Sequence, residues 1–397
     1  MSSEKILVIS NSNFPGTTGD SANYLEMIKG LRRRGFRIVL ACPKYKNSKS
    51  FDKKMRKQGI QIIRVPFSPP RLAEIGEKQI FMSSVLRLTL FYLAEFFTIL
   101  AIILENETKH VIVRHCIQTV NLLPLLGVLR MKITADGDIL SSSSMFHVPK
   151  SLLRIITIYE RVVLRLYTHF LAATPSQMRL LAKYGFRKSQ LVLKGIGIDT
   201  KKVPVHSLEG IHKDTFGFFG ALEKWQHVDD LLRAWAKVIA KKPGARLFII
   251  GDGSMKDYLK ELAVDLKVTH STVFLDGVPR ETLWNEYFRL FRVVIIPRSL
   301  KLFPEDFPIK LSEALAAGKP VIASKIPSIS SVVNEEEGVI FTEPDNEESL
   351  ALGICQLIDN DQRIRALSRQ ALETSRRFNL DSQLDKLVEI LTSKNQN

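Results

Sequence analysis

The chain has 397 residues, 45% hydrophobic and 25% charged. That composition excludes disordered, collagen-like and disulfide-scaffold classes, and the length predicts two domains rather than one core. Cys42, Cys116 and Cys355 lie too far apart to encode a disulfide framework or a zinc ribbon. The net charge is +16 and lopsided: residues 1–194 carry 30 basic and 12 acidic side chains, residues 195–397 carry 27 and 29. An anionic partner is therefore expected of the first half alone.

From the amino terminus, short β-rich runs alternate with helical ones. Met1–Lys5 leads into Ile6–Ile9, an apolar run too short for a signal peptide, so a strand over 6–10 and a cytoplasmic location are expected. A helix over 21–34 and strands over 37–41 and 61–65 follow, with a basic loop and short helix between 44 and 57. Val85–Leu104 is long enough to span a bilayer, yet Arg87 and Glu95 lie inside it. A largely buried helix is expected there, with contact to a membrane interface as the alternative. Strands at 110–113, 132–135 and 170–173 complete this half. Before the last of them, a helix over 150–169 sets Arg154, Arg161 and Arg165 among aliphatic residues, as a solvated surface helix or one meeting anionic headgroups would.

The second half repeats the design, with strands at 215–219, 246–250, 273–275, 293–296 and 321–323. Helices at 228–240, 255–265, 281–287 and 308–317 separate them. Such alternation predicts βαβ units and parallel sheets. The expected fold is α/β: two tandem Rossmann-like, doubly wound domains over 1–194 and 195–375, facing across a cleft and joined near Lys194–Pro204. A last helix, 376–397, is expected to return toward the first domain. Ligands of such sheets bind outside the carboxyl ends of the strands.

Chemistry concentrates between Pro297 and Ser324. A strand ends at Pro297-Arg298, an acidic loop follows, and Pro308 opens a helix where its missing N–H costs nothing. Gly318 closes that helix before the strand at 321. A helix amino terminus aimed at the cleft offers free N–H groups and a positive dipole end to a diphosphate. Glu305 precedes the helix and Glu313 lies inside it; a carboxylate there can accept two hydrogen bonds from a vicinal diol such as ribose. Two glutamates eight apart mean nothing alone. The strand–loop–helix–strand frame gives them meaning.

These residues resemble the retaining glycosyltransferases of the GT-B fold, family 4. The family's E-x7-E motif and its "EAMAxGxPVVA" run read here as the stretch from Glu305-Asp306-Phe307 through Glu313-Ala314 to Gly318-Lys319-Pro320-Val321-Ile322-Ala323. Leu247–Gly253 is similar to its strand-plus-GDG turn, and Val273–Gly277 to its "V-x-F-x-G" strand. Thr174-Pro175-Ser176 and Leu193–Asp199 are similar to its entry to the second domain, and Pro15–Gly19 to its glycine-rich loop. The likeness covers nearly the whole chain and is strongest beyond residue 170.

The resemblance implies transfer of a sugar from a nucleotide-sugar donor with retention, by front-face displacement in which the leaving diphosphate helps deprotonate the acceptor. It implies donor-ribose binding by Glu313 and donor-sugar contact by Glu305. Backbone N–H groups of Phe307 and Ile309 would hold the diphosphate or sugar, with Gly16, Gly19 and Gly251 allowing close approach. Where the family carries an Arg and a Lys on the diphosphate, this chain has Ala221 and Gln226. Lys224, Arg298 and Lys310 are the nearest cations in sequence to take over, Lys310 first among them. Where the family carries a catalytic-site His, Asp136 stands. Asp136-Gly137-Asp138 also spells the metal-binding DxD of the GT-A fold, but the tandem architecture implies GT-B, with no metal and no cofactor beyond the nucleotide-sugar substrate. Assigning the basic half to the acceptor implies a lipid-linked or membrane-presented glycan acceptor, peripheral docking at the inner face of the cell membrane, and no nucleic acid. The alternatives are a GT-B nucleotide-sugar epimerase and a degenerate transferase that binds without turnover.

Overall fold

A computed structural model describes residues 4–10, 14, 19–45, 48–66, 81–106, 108–115, 122–137, 150–301 and 306–393. The first half contains β1 (Lys5–Ile9), α1 (Gly19–Arg33), β2 (Arg37–Pro43), α2 (Ser48–Lys57), β3 (Ile60–Val65) and α3 (Phe81–Asn106). It continues with β4 (His110–His115), α4 (Leu123–Val128), β5 (Lys132–Gly137), α5 (Lys150–Val163), β6 (His169–Ala172), α6 (Pro175–Lys183) and β7 (Leu191–Leu193). These seven strands form one sheet in the order β3-β2-β1-β4-β5-β6-β7, and every pairing is parallel.

The second half contains β8 (Thr215–Phe219), α7 (Val228–Lys241), β9 (Arg246–Ile250), α8 (Lys256–Asp265), β10 (Thr272–Leu275), α9 (Arg280–Asn285) and β11 (Val293–Ile296). Next come α10 (Ile309–Ala316), β12 (Val321–Ser324), α11 (Pro327–Ser330), β13 (Val339–Thr342), α12 (Glu347–Cys355), α13 (Asp361–Ser375) and α14 (Leu380–Thr392). Its sheet is also wholly parallel, in the order β10-β9-β8-β11-β12-β13.

Right-handed crossovers dictate which helices share a face. The chain moves outward from β1 to β3 and then returns past β1 to β4, so α1 and α2 lie on one face of the first sheet and α3 to α6 on the other. The cores agree: Met27, Leu31, Phe51 and Met55 pack with one face, whereas Ile99, Leu123, Val163 and Leu181 pack with the other. In the second sheet the reversal falls between β8 and β11, which is where such sheets bind ligands.

Leu380, Leu384, Leu387 and Leu391 of α14 belong to the first domain's core, although α14 is the last element of the chain. Gly30 in α1 makes this docking possible, since a Cβ there would lie 2.2 Å from the Leu384 side chain. Arg34 adds ion pairs to Asp381 at 3.1 Å and Asp385 at 2.8 Å. At the crossover, Ile198 N donates to Phe378 O and Leu380 N donates to Ile198 O, around a parallel bridge between Ile198 and Asn379.

Two sequence expectations need adjustment. The helix expected over 150–169 ends at Val163 and gives way to a 3₁₀ turn, Leu164–Leu166, before β6. The helix around 85–104 extends over 26 residues and is not largely buried: Leu90, Leu93, Phe97 and Leu104 fall three, four or seven residues apart on one exposed face. No helix of the described residues is long and apolar enough to cross a membrane.

Candidate donor site at the carboxyl ends of the second sheet

Three loops meet at the carboxyl ends of β8, β9 and β11. Gly220 N bonds Ile250 O at 3.0 Å and Leu222 N bonds Asp252 O at 2.9 Å, so the loops after β8 and β9 run side by side. Gly251 is required by that contact, because a Cβ there would sit 1.9 Å from the Gly220 carbonyl oxygen. The helix α10 opens beside them with Pro308 at its cap and no side-chain cap, leaving its positive end to whatever lies in front of it.

The first turn of α10 buries Lys310, whose Nζ donates to Gln226 Oε1 at 2.7 Å and lies 4.0 Å from the centre of the Phe218 ring. Its Nζ is also 3.1 Å from where a Gly220 Cβ would stand, so Lys310 reaches the loop that holds Ala221 and Gln226. Burial, reinforced by the charge of Arg298, pushes its ammonium well below the usual lysine range; Glu313 and Asp306 pull the other way. Among the described residues no carboxylate reaches it. Arg298, 2% exposed, stacks over Trp225 at 4.9 Å and points Nη2 to Asp306 Oδ2 at 3.4 Å.

One turn further, Glu313 is buried and paired with Arg280 of α9. Burial pushes its carboxyl upward, while Arg280, Lys310 and the Trp284 indole hold it down. Arg280 stacks over the Trp284 ring at 4.9 Å.

The residues expected from sequence fall into three groups. Arg298, Ile309, Lys310, Glu313 and Gly251 come together here. Phe307, just before α10, is buried against Phe378, with ring centres 5.9 Å apart. Lys224 lies exposed on a 3₁₀ turn, Lys224–Gln226, and makes no ion pair among the described residues. Gly19 begins α1, whereas Glu305, Gly16 and Asp138 lie outside the described residues. Asp136 ends β5 in the other sheet and is 5% exposed, with Oδ1 accepting from Lys194 Nζ at 2.6 Å. That ammonium already occupies an Asp136 oxygen that a metal held there would need. Elsewhere, His227, Asp230 and Asp345 bring ligand atoms within 4.8 Å of one another, but His227 Nδ1 and Asp230 Oδ2, 3.0 Å apart, already satisfy each other as a pair.

Sequence reading missed Arg280, Trp284, Phe218 and Lys194. Arg280 and Trp284 stack on each other at i, i+4 within α9, a local signal, whereas Arg280 with Glu313, Phe218 with Lys310 and Lys194 with Asp136 meet only through tertiary folding.

Two parallel doubly wound sheets, with a helix amino terminus and buried cations at the carboxyl ends of the second and the last helix returned to the first, define the GT-B architecture. Over 98% of both chains, the fold matches sucrose-phosphate synthase from Thermosynechococcus elongatus, with a TM-score of 0.80 at 16% identity. It also matches the Anabaena protein HepE solved in complex with UDP, with a TM-score of 0.74 at 18% identity over 98% of this chain and all of that one. Residues 206–374 match the family of glycosyl transferases group 1. Among curated relatives, an uncharacterized glycosyltransferase of Methanocaldococcus jannaschii is 34% identical over 143 residues, 36% of this chain and 35% of that protein. The chain spans 17% to 50% of the length of the first curated relatives it matches.

Proposed function

We propose that the protein is a retaining glycosyltransferase that moves a hexosyl group from a nucleotide-sugar donor to a lipid-linked or membrane-presented glycan. One observation carries the reading: a domain matching group 1 transferases buries Lys310 at a helix amino terminus with no carboxylate partner among the described residues. A diphosphate is the anion that such a site would welcome.

In this scheme Lys310, Arg298 and the α10 amino terminus, with the backbone N–H groups of Phe307 and Ile309, hold the diphosphate. Glu313 takes the ribose, Glu305 the donor sugar, and Gly16, Gly19 and Gly251 admit the ligand closely. The acceptor oxygen bonds to the anomeric carbon on the face from which the diphosphate departs, and the acceptor proton passes to a departing diphosphate oxygen. The protein contributes orientation and fixed charge rather than a nucleophile. Its positive charge comes from side chains and a helix dipole, so the scheme uses no metal.

For the acceptor, the support lies on the first domain. α3 and α5 share one face of its sheet, where Leu93, Phe97, Ile158 and Val162 are exposed beside Arg154, Arg161 and Arg165. Aliphatic and basic groups mixed on one exposed face suit a peripheral seat on an anionic cytoplasmic leaflet.

Thermal-shift measurement against UDP-, GDP- and ADP-sugars identifies the donor by stabilisation, and Glu313→Ala should then abolish turnover in a folded protein. Full activity in that variant sinks the ribose assignment. Product from donor alone would instead indicate an epimerase. Failure to bind any of these donors would favour the degenerate transferase that Ala221 and Gln226 motivate.

A further inference from the structure

Beside Glu313, α9 presents two buried donors that nothing among the described residues satisfies. Arg280 gives Nε to Glu313, but its Nη2 is buried and has no acceptor. Trp284 is 5% exposed, and its Nε1 also lacks an acceptor of hydrogen-bonding geometry, although the indole lies near enough to favour the charged form of Glu313. Buried donors are nearly always satisfied, so two orphans beside one carboxylate call for an absent partner. The pair is held rigidly: Arg280 stacks on the Trp284 ring, and His206 Nε2 meets the Trp284 carbonyl oxygen at 2.6 Å.

Satisfying this trio requires groups that donate and accept at once. A carboxylate only accepts, whereas guanidinium and indole N–H only donate. A vicinal diol fits: each hydroxyl gives its proton to Glu313 and receives a hydrogen bond on its oxygen. A base carbonyl or a phosphate oxygen could satisfy the two donors but would leave Glu313 facing a lone pair.

Resting on the donor reading above, we propose that Arg280 and Trp284 are the specificity-determining residues of the nucleoside end of this site. They pair with Glu313 to select a cis-diol, and so discriminate ribonucleotides from deoxynucleotides. Arg280 also acts as a positioning residue, holding the Glu313 carboxylate charged and aimed.

Calorimetry on the full chain tests this with UDP, GDP and ADP, each against its 2′,3′-dideoxy counterpart. The expected result is that whichever ribonucleotide binds does so at least about tenfold more tightly than its dideoxy form, one charge-assisted hydrogen bond being of that size. Trp284→Phe keeps an aromatic face for Arg280 but removes the N–H together with one ring of the indole, and should weaken ribonucleotide binding several-fold while changing dideoxy binding much less. Arg280→Lys keeps the charge, loses Nη2 and should reduce the same ratio, which guards against a folding defect in either variant alone. If the native protein prefers ribonucleotides and both variants keep its full ratio, Arg280 and Trp284 are structural only; the proposal falls while the donor reading stands. Equal binding of both sugar forms by the native protein also overturns it. Binding of no nucleoside diphosphate brings down the donor reading, and the proposal with it.

Discussion

Lys194 follows the last strand of the first sheet, Lys310 lies in the first turn of α10 in the second domain, and each is 8% exposed. Their surroundings differ completely. Lys194 is neutralised by Asp136 at 2.6 Å, so the pair is complete within the first domain. Lys310 donates instead to the neutral amide of Gln226 and lies over the Phe218 ring, with Arg298 close enough to disfavour its charge. Burying an ammonium is costly wherever it happens. In the first domain a carboxylate already offsets that cost; in the second no carboxylate among the described residues does, and the proposed diphosphate would supply the counter-charge.

The sharpest way to break this contrast is to unbalance the completed pair. Asp136→Asn leaves Lys194 buried and uncompensated, which should cost about 3–5 kcal/mol of stability. The double change Asp136→Asn with Lys194→Met should recover most of it. Urea unfolding at neutral pH reads both. Equal stability of the single variant and the native protein would mean that the pair is not the closed unit described.

Lys310→Met performs the opposite experiment on the second domain. Removing a cation that has no carboxylate partner among the described residues should leave the fold intact, or slightly more stable, while weakening nucleoside diphosphate binding about a hundredfold, as loss of a charged contact to phosphate would. Unchanged affinity would move the diphosphate task to Arg298 or Lys224. A smaller effect is expected on the outer face of the first domain. Phe97→Ser removes one exposed ring, and should lower sedimentation with anionic liposomes about tenfold at low salt without altering nucleotide binding. If sedimentation is untouched, the exposed face of α3 serves some other contact.

Much of this was legible before any coordinates. The strands at 215–219, 246–250 and 293–296 were bounded correctly because each is a short apolar run closed by turn or proline signals. β7 and β13 were missed: the first has only three residues, and the second follows an acidic turn that hides a short apolar run. In the site, Glu313 and Lys310 stood out because helix punctuation frames them. Their partners did not, since Arg280 is 33 residues from Glu313 and Gln226 is 84 from Lys310. Sequence spacing reports faces of one element, not meetings between elements, and the reading of Asp136 as a catalytic candidate could not foresee Lys194 arriving 58 residues later.

The least of the effects is also the most specific. In the free protein the Lys310 ammonium loses its proton well below the usual lysine range, because burial and Arg298 oppose its charge. A bound diphosphate would favour the charged form and raise that value. Between the free and bound values the complex therefore holds more protons than the separate molecules, so binding takes up as much as one proton and affinity falls as pH rises through this window. Calorimetry in buffers of different ionisation enthalpy counts that proton. Lys319 supplies an internal control: it too is buried and pushed down to about 7, but its Nζ bonds the Phe291 carbonyl oxygen at 3.1 Å, behind β11 rather than at the loops. Its proton should be the same in free and bound protein, so Lys319→Met should leave the uptake unchanged and Lys310→Met should erase it. Uptake that survives Lys310→Met would place the titrating group elsewhere, and with it the cation that the diphosphate meets.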